Sequence, residues 1–305
     1  MTNNTNGNMK TPSYTNHNGY LMPHGFPAHN FANSLSYKPT SNDLFIATYP
    51  KCGTTLTQHM IYIMLNKGVP IQPHEKLDQI FPHLEEVGAD YITNSATIKR
   101  DLRLIKTHLP YDMTPMSTAT AGAKYIFVAR NPKDCIVSFF HHTRGFPQHY
   151  NFEDGDFDVY FDLFVRGQVD FGNYFTALRS WFDRRHDENV LFLTYEEIQA
   201  DKRRAVTQIA SFIDGAGAGG TMEEELLRDN GALMEKVLLC SSLEEMKKDP
   251  LRWCSERAAE HTPFIRSGQV GGWTELLTKA QGEKLDEIMR QTFTEEELKY
   301  LGTKY

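Results

Sequence analysis

The sequence has few cysteines, no long apolar run and no excess of positive charge. Its four cysteines contain no CxxC pair, which argues against a zinc site or a disulfide scaffold and favours a reducing, cytoplasmic setting. No apolar stretch approaches the roughly 20 residues of a membrane-spanning helix. The N-terminus lacks the basic and then apolar layout of a signal peptide. We therefore expect a protein that does not interact with a membrane.

The charge balance argues against one broad class of partner. A formal net charge of −7 disfavours general nucleic-acid binding, because contacts to phosphates need a basic face. It still allows a local basic pocket for a small anion. At 305 residues, with 40% hydrophobic and 23% charged residues, the chain has the composition of a globular protein whose core needs no disulfides.

From residue 43 onward, short apolar runs alternate with helical patterns. The runs that we interpret as strands are 44–47, 103–106, 124–129 and 190–194. This alternation predicts an α/β fold, with a single domain built on a central parallel sheet flanked by helices. Residues 1–40 are poor in aliphatic side chains, and we expect them to form a flexible N-terminal leader, with some aromatic residues packed on the body. The domain itself is expected to span residues 41–305.

The first predicted strand leads into a loop of small residues and then a helix, within LFIATYPKCGTTLTQHMIY at 44–62. This order aims backbone N–H groups and the positive end of a helix at an anion. Lys51 adds a positive charge, and Thr54 and Thr55 add hydroxyl donors. The lysine precedes the glycine, unlike in GxxxxGK[ST], so the arrangement that holds magnesium is absent. The pattern predicts a P-loop-like phosphate site that works without a metal; the alternative is an ordinary turn with an exposed lysine.

Cationic and titratable side chains follow all four predicted strands. They are Lys51, Lys106 with His108, Arg130 and Tyr195. Ligands of parallel sheets bind outside the carboxyl ends of the strands, so these side chains are expected at one edge. Singly, each has an ordinary interpretation, such as a solvated lysine or a loop histidine. Together they predict a site for a polyanionic ligand with a histidine available as general base.

Four motifs in this order resemble those of a known family: TYPKCGTT at 48–55, KTHLP at 106–110, VARNPKDCIVSFFHH at 128–142 and RSGQVGGW at 266–273. Over residues 40–300 the chain resembles the cytosolic sulfotransferases. These enzymes move a sulfuryl group from 3′-phosphoadenosine-5′-phosphosulfate (PAPS) to an acceptor and release 3′-phosphoadenosine-5′-phosphate (PAP). The resemblance implies a transferase that takes PAPS as co-substrate, acts on a small-molecule acceptor and requires no metal.

The resemblance also implies roles for individual residues. His108 would be the general base, and Lys51, Lys106 and Ser138 would complete the catalytic set. The implied nucleotide-binding residues are Lys51, Cys52, Gly53, Thr54, Thr55, Leu56, Arg130, Ser138, Tyr195, Ser241, Leu243, Arg266, Ser267 and Gly268. The implied acceptor-binding residues are Phe81, His108, His142, Phe146 and Tyr174. His142 stands where an aromatic residue is common in the family. If its imidazole contacts the acceptor, the acceptor is expected to be polar; the alternative is that the imidazole faces solvent.

Several positions depart from the family pattern. Leu56 replaces the tryptophan that stacks on adenine, and Ser267 replaces a lysine at the 3′-phosphate. The segment SSLEEM at 241–246 stands where the family carries TSFKEM. The family's dimerisation motif, KxxxTVxxxE, keeps only Thr278 and Glu283, so the resemblance gives weak support to a homodimer.

Three alternative functions stay open at this point. A P-loop kinase is disfavoured by the missing GK[ST]. A relative that uses transient sulfation to drive dehydration has the same motifs. A catalytically impaired binder of phosphoadenosine nucleotides is suggested by Leu56 and Ser267, although Lys51, Lys106 and His108 are retained. The sequence does not choose among phenols, steroids, aliphatic alcohols and amines as the acceptor.

Overall fold

The computed structural model describes residues 10–72, 74–95, 98–117, 122–215, 221–249, 252–253 and 262–302. Its strands are β1 Tyr14–His17, β2 Tyr20–Pro23, β3 Asp43–Thr48, β4 Ile98–Lys99, β5 Leu102–Thr107, β6 Lys124–Ala129 and β7 Val190–Thr194. The main sheet has the order β4-β5-β3-β6-β7. Within it β5, β3, β6 and β7 run parallel, and β4 adds an antiparallel edge. The predicted α/β fold with a central parallel sheet is therefore confirmed.

Helices cover both faces of this sheet. They are α1 Ala28–Ser34, α2 Thr54–Leu65, α3 Leu77–Ile80, α4 Leu84–Ser95, α5 Pro132–Arg144, α6 Pro147–Tyr150, α7 Phe157–Val165, α8 Tyr174–Phe182, α9 Tyr195–Ala200, α10 Lys202–Asp214, α11 Met222–Cys240, α12 Leu243–Lys247, α13 Lys279–Thr292 and α14 Glu295–Tyr300. Short 3-10 helices cover Tyr111–Met113 and Gly272–Glu275. None of the helices in the described residues is long and apolar enough to cross a membrane.

The alternation of side chains along β3 divides the core into two clusters. Phe45 and Ala47 join the cluster under α5, α7 and α8, whereas Leu44 and Ile46 join the cluster under α2, α10 and α11. Successive side chains of a strand point to opposite faces, so a strand between two helical layers is apolar on both. This explains why the strands read as continuous apolar runs.

The register of the parallel strands brings their carboxyl ends to one edge. Ala47 of β3 pairs with Thr107 of β5, and Thr48 pairs with Val128 of β6. Ala129, the last residue of β6, pairs with Thr194 of β7. The segments that follow these four strands therefore emerge side by side, which places the predicted site at this edge of the sheet.

The N-terminal segment differs from the expected flexible leader. Residues 1–9 lie outside the described residues. Strands β1 and β2 pair as an antiparallel hairpin around Asn18-Gly19, both at positive φ, which is the backbone a two-residue hairpin turn requires. Helix α1 packs against α4, and Phe31 is buried. The packing of this segment depends on aromatic rings rather than on aliphatic side chains. The prediction of a flexible leader rested on the low aliphatic content, which does not take the aromatic rings into account.

Candidate active site

A cavity of about 300 Å³ lies beyond the carboxyl ends of the parallel strands. The predicted residues that line it are Lys51, Gly53, Thr54, Thr55, Leu56, Lys106, His108, Arg130, Ser138, His142, Phe146, Tyr195, Ser241, Leu243, Arg266, Ser267 and Gly268. The fold thus brings residues from all four motifs to one cavity.

The loop between β3 and α2 has a backbone that only glycine can adopt at its last position. Gly53 has φ +100°, and a Cβ added there would lie 2.8 Å from Cδ2 of Tyr195. Without a side chain at this N-cap position, no side-chain cap satisfies the first turn of α2. The N–H groups at this helix end therefore remain available to an anion at the loop.

Arg130 connects three segments of the cavity wall. Its Nη1 donates to the carbonyl oxygen of Lys51 at 2.9 Å, and its Nη2 donates to that of Gln269 at 3.2 Å. The guanidinium lies over the Tyr195 ring, 4.4 Å from its centroid. Its Nε is buried and has no hydrogen-bond partner within the described part of the chain. A buried guanidinium with an unsatisfied N–H is suited to binding an anionic oxygen.

His108 is held in one tautomer by the strand beside it. Its Nδ1 lies 2.7 Å from the carbonyl oxygen of Thr48. A carbonyl oxygen can only accept, so Nδ1 carries the proton and Nε2 keeps its lone pair. Burial, followed by the charge of Lys106 and the neighbouring His83, holds the pKa of His108 well below its usual range. The imidazole is therefore neutral near pH 7 and can accept a proton at Nε2.

A buried glutamate and a second histidine support His108. The backbone N–H of His108 donates to Oε1 of Glu85 at 2.6 Å, and Glu85 is fully buried. The His83 ring packs edge-on against the His108 ring at 4.9 Å. Burial, and then Lys106, holds the pKa of His83 well below its usual range. His83 is thus uncharged near neutral pH, and its 3.4 Å approach to Glu85 is a polar contact rather than an ion pair.

Aromatic rings and imidazoles surround the rest of the cavity. His142 lines the cavity, with its ring 4.7 Å from Phe146 and 5.9 Å from Phe264. His142 therefore lies at the cavity wall, and its contact with an acceptor stays a prediction. Phe264 also lies under the ammonium of Lys51, 4.2 Å from its ring centroid. Lys51 therefore stands at the junction of the cationic and aromatic parts.

The N-terminal hairpin completes the wall beside His108. Pro23 and Phe26 line the cavity, and the Phe26 ring packs edge-on against His83 at 5.3 Å. The segment is fixed there by backbone hydrogen bonds, including one from the N–H of Phe171 to the carbonyl oxygen of Leu21 at 2.9 Å. The cavity is therefore closed by residues that precede the main sheet.

Three of the predicted site residues do not line the cavity. Phe81 is fully buried in the core cluster under α2, and His83, two residues later, lines the cavity instead. Tyr174 is buried on α8, where its hydroxyl donates to the carbonyl oxygen of Arg130. Cys52 is fully buried, with its Sγ 3.7 Å from that of Cys135. The hydroxyl of Tyr174 and the thiol of Cys52 are therefore engaged within the protein.

Several residues that line the cavity were not predicted. They include Phe26, His83, Phe171, Lys202, Trp253 and Phe264. The four motifs give no signal for these residues, because all of them lie outside the motifs, and Lys202 begins α10. The one usable signal is the cluster of aromatic residues at 146–175, which contains Phe171.

Comparisons with known proteins point to one family. Residues 41–297 match the family model described as "Sulfotransferase domain". The mouse (Mus musculus) protein Sulfotransferase 1B1 is 31% identical over 284 residues, which cover 88% of this chain and 90% of that protein. The rat (Rattus norvegicus) protein Sulfotransferase 1C2 is 30% identical over 270 residues, 86% of each.

Solved structures share the fold at lower identity. Retinol dehydratase in complex with androsterone and inactive cofactor PAP has a TM-score of 0.73 at 20% identity, covering 93% of this chain and 90% of that one. Mouse sulfotransferase SULT7A1 complexed with PAP has a TM-score of 0.70 at 24% identity, covering 93% and 95%. At these identities the likeness establishes the architecture.

Proposed function

The chain belongs to the sulfotransferase family, and from that premise we propose that it moves a sulfuryl group from PAPS to a hydroxyl or amine of a small-molecule acceptor. The observation that carries the proposal is one cavity that joins an anion-binding loop to a neutral imidazole. The loop at Lys51 and the ring of His108 both line it. A donor with a terminal anion and an acceptor with a removable proton would meet there.

The residues present fit a phosphoadenosine nucleotide. Gly53 leaves space that a Cβ would fill, and the first turn of α2 is free of a side-chain cap. Arg130 offers its buried Nε, and Arg266 also lines the cavity. We assign the 5′-phosphosulfate to the loop of Lys51 and the 3′-phosphate to Arg130, Arg266 and Ser138. Tyr195 would contact the base.

The bound nucleotide would supply an activated sulfuryl group on a phosphate leaving group. In the proposed mechanism, Nε2 of His108 accepts the proton of the attacking hydroxyl or amine. The Thr48 carbonyl oxygen holds that imidazole in place, and the Glu85 carboxylate holds the backbone N–H of His108. Lys51 and Lys106 balance negative charge that develops around the transferring group. We propose that no metal is needed, since these lysines provide the compensating charge.

The cavity favours an acceptor with a polar group. His83 and His142 both line it among aromatic rings, so a hydroxylated aromatic or alicyclic molecule has both stacking surfaces and hydrogen-bond partners. A cytoplasmic location also belongs to this proposal. A homodimer stays a prediction: Thr278 caps α13 through a capping box with Gln281, and Glu283 lies 3.7 Å from Lys279, so both motif residues have local partners.

Transfer of radiolabelled sulfate from PAPS to a panel of phenols, steroids, aliphatic alcohols and amines tests the function. We expect the wild type to sulfate at least one class. His108→Ala should lose roughly 100-fold or more of that rate and should bind PAP as the wild type does. A wild type that binds PAP but labels no acceptor would support the impaired-binder alternative. An unlabelled, dehydrated product would support the dehydration alternative.

A further inference from the structure

The apolar side chains that α2 and α12 contribute to the cavity wall are not aromatic. Leu56 of α2 lines it, together with Leu243 and Met246 of α12. Leu243 lies next to the nucleotide-binding segment, because a Cβ on Gly268 would come within 2.9 Å of its Cδ1. A purine base has two flat faces and binds best against an aromatic ring. These aliphatic side chains do not provide one.

Tyr195 offers only part of such a surface. The guanidinium of Arg130 lies over its ring at 4.4 Å. Its hydroxyl donates to the carbonyl oxygen of Gly268 at 2.9 Å, and a Cβ on Gly53 would contact the ring edge. The ring is therefore engaged by protein groups along its edge and on one face, which limits its contact with a base.

Trp253 provides an aromatic ring in the same part of the cavity. It lines the cavity and is 5% exposed. Its Nε1–H donates to the carbonyl oxygen of Met246 at 2.6 Å, and its ring packs at 4.7 Å against His59. His59 follows Leu56 by three residues on α2, so the two side chains are neighbours on one helix face. Trp253 is thus held between His59 of α2, one turn from Leu56, and Met246 of α12.

We propose that Trp253 supplies the aromatic surface against which the purine base of the nucleotide packs, in place of the ring that position 56 lacks. This inference rests on the proposed function and adds a nucleotide-binding residue from outside the four motifs. The fixed indole N–H limits rotation of the ring, so little side-chain entropy is lost when a base binds. The ordinary interpretation, a buried tryptophan that only fills the core, predicts stability effects without a base-specific effect.

Calorimetric binding of PAP to the wild type, Trp253→Leu and Trp253→Phe tests the proposal. Base–aromatic contacts predict that Trp253→Leu raises the Kd for PAP roughly 5- to 150-fold, and that Trp253→Phe recovers most of the affinity. Ribose 3,5-bisphosphate, which lacks the base, should bind the wild type and Trp253→Leu equally. A parallel weakening for both ligands would indicate a purely structural role and overturn the proposal.

Tryptophan fluorescence gives a second readout that does not depend on catalysis. The chain has three tryptophans, Trp181, Trp253 and Trp273. PAP should quench the wild type and Trp273→Phe, and Trp253→Phe should lose that quenching. If Trp253→Phe is quenched like the wild type and Trp253→Leu binds PAP normally, the stacking role is wrong while the proposed function stands. A wild type that binds no PAP overturns the proposed function itself.

Discussion

The Nδ1 atom of His108 lies 2.7 Å from the carbonyl oxygen of Thr48. Thr48 ends β3, the strand that leads into the loop of Lys51, and His108 directly follows β5. The hydrogen bond therefore ties the proposed base to the strand that carries the anion site. It leaves Nε2 as the only ring atom that can accept a proton.

The first prediction concerns the pH dependence of catalysis. Burial holds the pKa of His108 well below its usual range, so the neutral base should persist below pH 6.5. We expect kcat/KM to stay level from pH 8 to 6.5 and to fall only at lower pH, measured with an acceptor that does not ionise in this range. Lys106→Gln should move the acid limb upward, because it removes a nearby positive charge. An acid limb at pH 6.5 or above in the wild type would contradict the assignment.

The second prediction tests the close approach at the anion-binding loop. Gly53→Ala should weaken PAP binding at least tenfold, because the new Cβ would lie 2.8 Å from Tyr195 at φ +100°. Gly19→Ala is the matched control, since Gly19 has φ +93° with nothing within 4 Å of its Cβ position. Calorimetric titration with PAP compares the two. Equal loss in both variants would mean that backbone strain, rather than the contact with Tyr195, is responsible.

The third prediction concerns stability and Asp170. Burial raises the pKa of this carboxyl to about 7, so the folded state favours its protonated form. The contribution of Asp170 to the free energy of unfolding should therefore decrease as the pH rises from about 4 to 7. Because one pKa unit corresponds to about 1.4 kcal/mol, the decrease should reach up to about 4 kcal/mol. Urea denaturation from about pH 4 to 8 gives the slope of the unfolding free energy against pH. Asp170→Asn should remove this contribution to the slope and should stabilise the protein above pH 7.

Asp90→Asn provides the control for that experiment. Asp90 is exposed, and its replacement should leave the slope as in the wild type. An Asp170→Asn variant with the full wild-type slope would show that other groups carry the pH dependence.

The fourth prediction concerns the N-terminal wall of the cavity. Phe26→Ala should raise the KM for the acceptor roughly tenfold or more, since burial of a phenyl ring against a ligand is worth about 2 kcal/mol. PAP affinity should stay unchanged. Leu35→Ala, which alters an exposed residue next to α1, should change neither quantity. Steady-state kinetics with calorimetry separates the two ligands, and a loss of PAP binding in Phe26→Ala would argue for a general structural effect.

The fifth prediction concerns the thiols. Cys52 and Cys135 are fully buried, and burial raises the pKa of Cys52 well above its usual range. Iodoacetamide should therefore leave both unmodified in the native protein and label both in urea, as mass spectrometry would detect. Half-buried Cys240 should react faster than either. Rapid native labelling of Cys52 would mean that the loop opens readily.

The sheet and the residues that follow its strands could be predicted because they depend on local pattern. The run Lys124–Ala129 is the strand β6 as predicted, and Arg130 follows it at the sheet edge. Phe26 and Trp253 could not be predicted, because their positions depend on contacts with distant segments. We predicted Phe81 at the cavity, but His83 lines it instead. Neither residue belongs to a helix or a strand, so no periodicity indicates which of the two side chains faces the cavity.

The hairpin that closes the cavity lies before residue 41, where the family match begins. Pro23 and Phe26 are thus outside the segment that the family model matches. Under the proposed function, substitutions in this hairpin would change which acceptor fits and would leave the motifs for the nucleotide intact. In evolutionary terms, acceptor choice and transfer chemistry can diversify independently, so close similarity over 41–297 predicts a shared donor better than a shared acceptor.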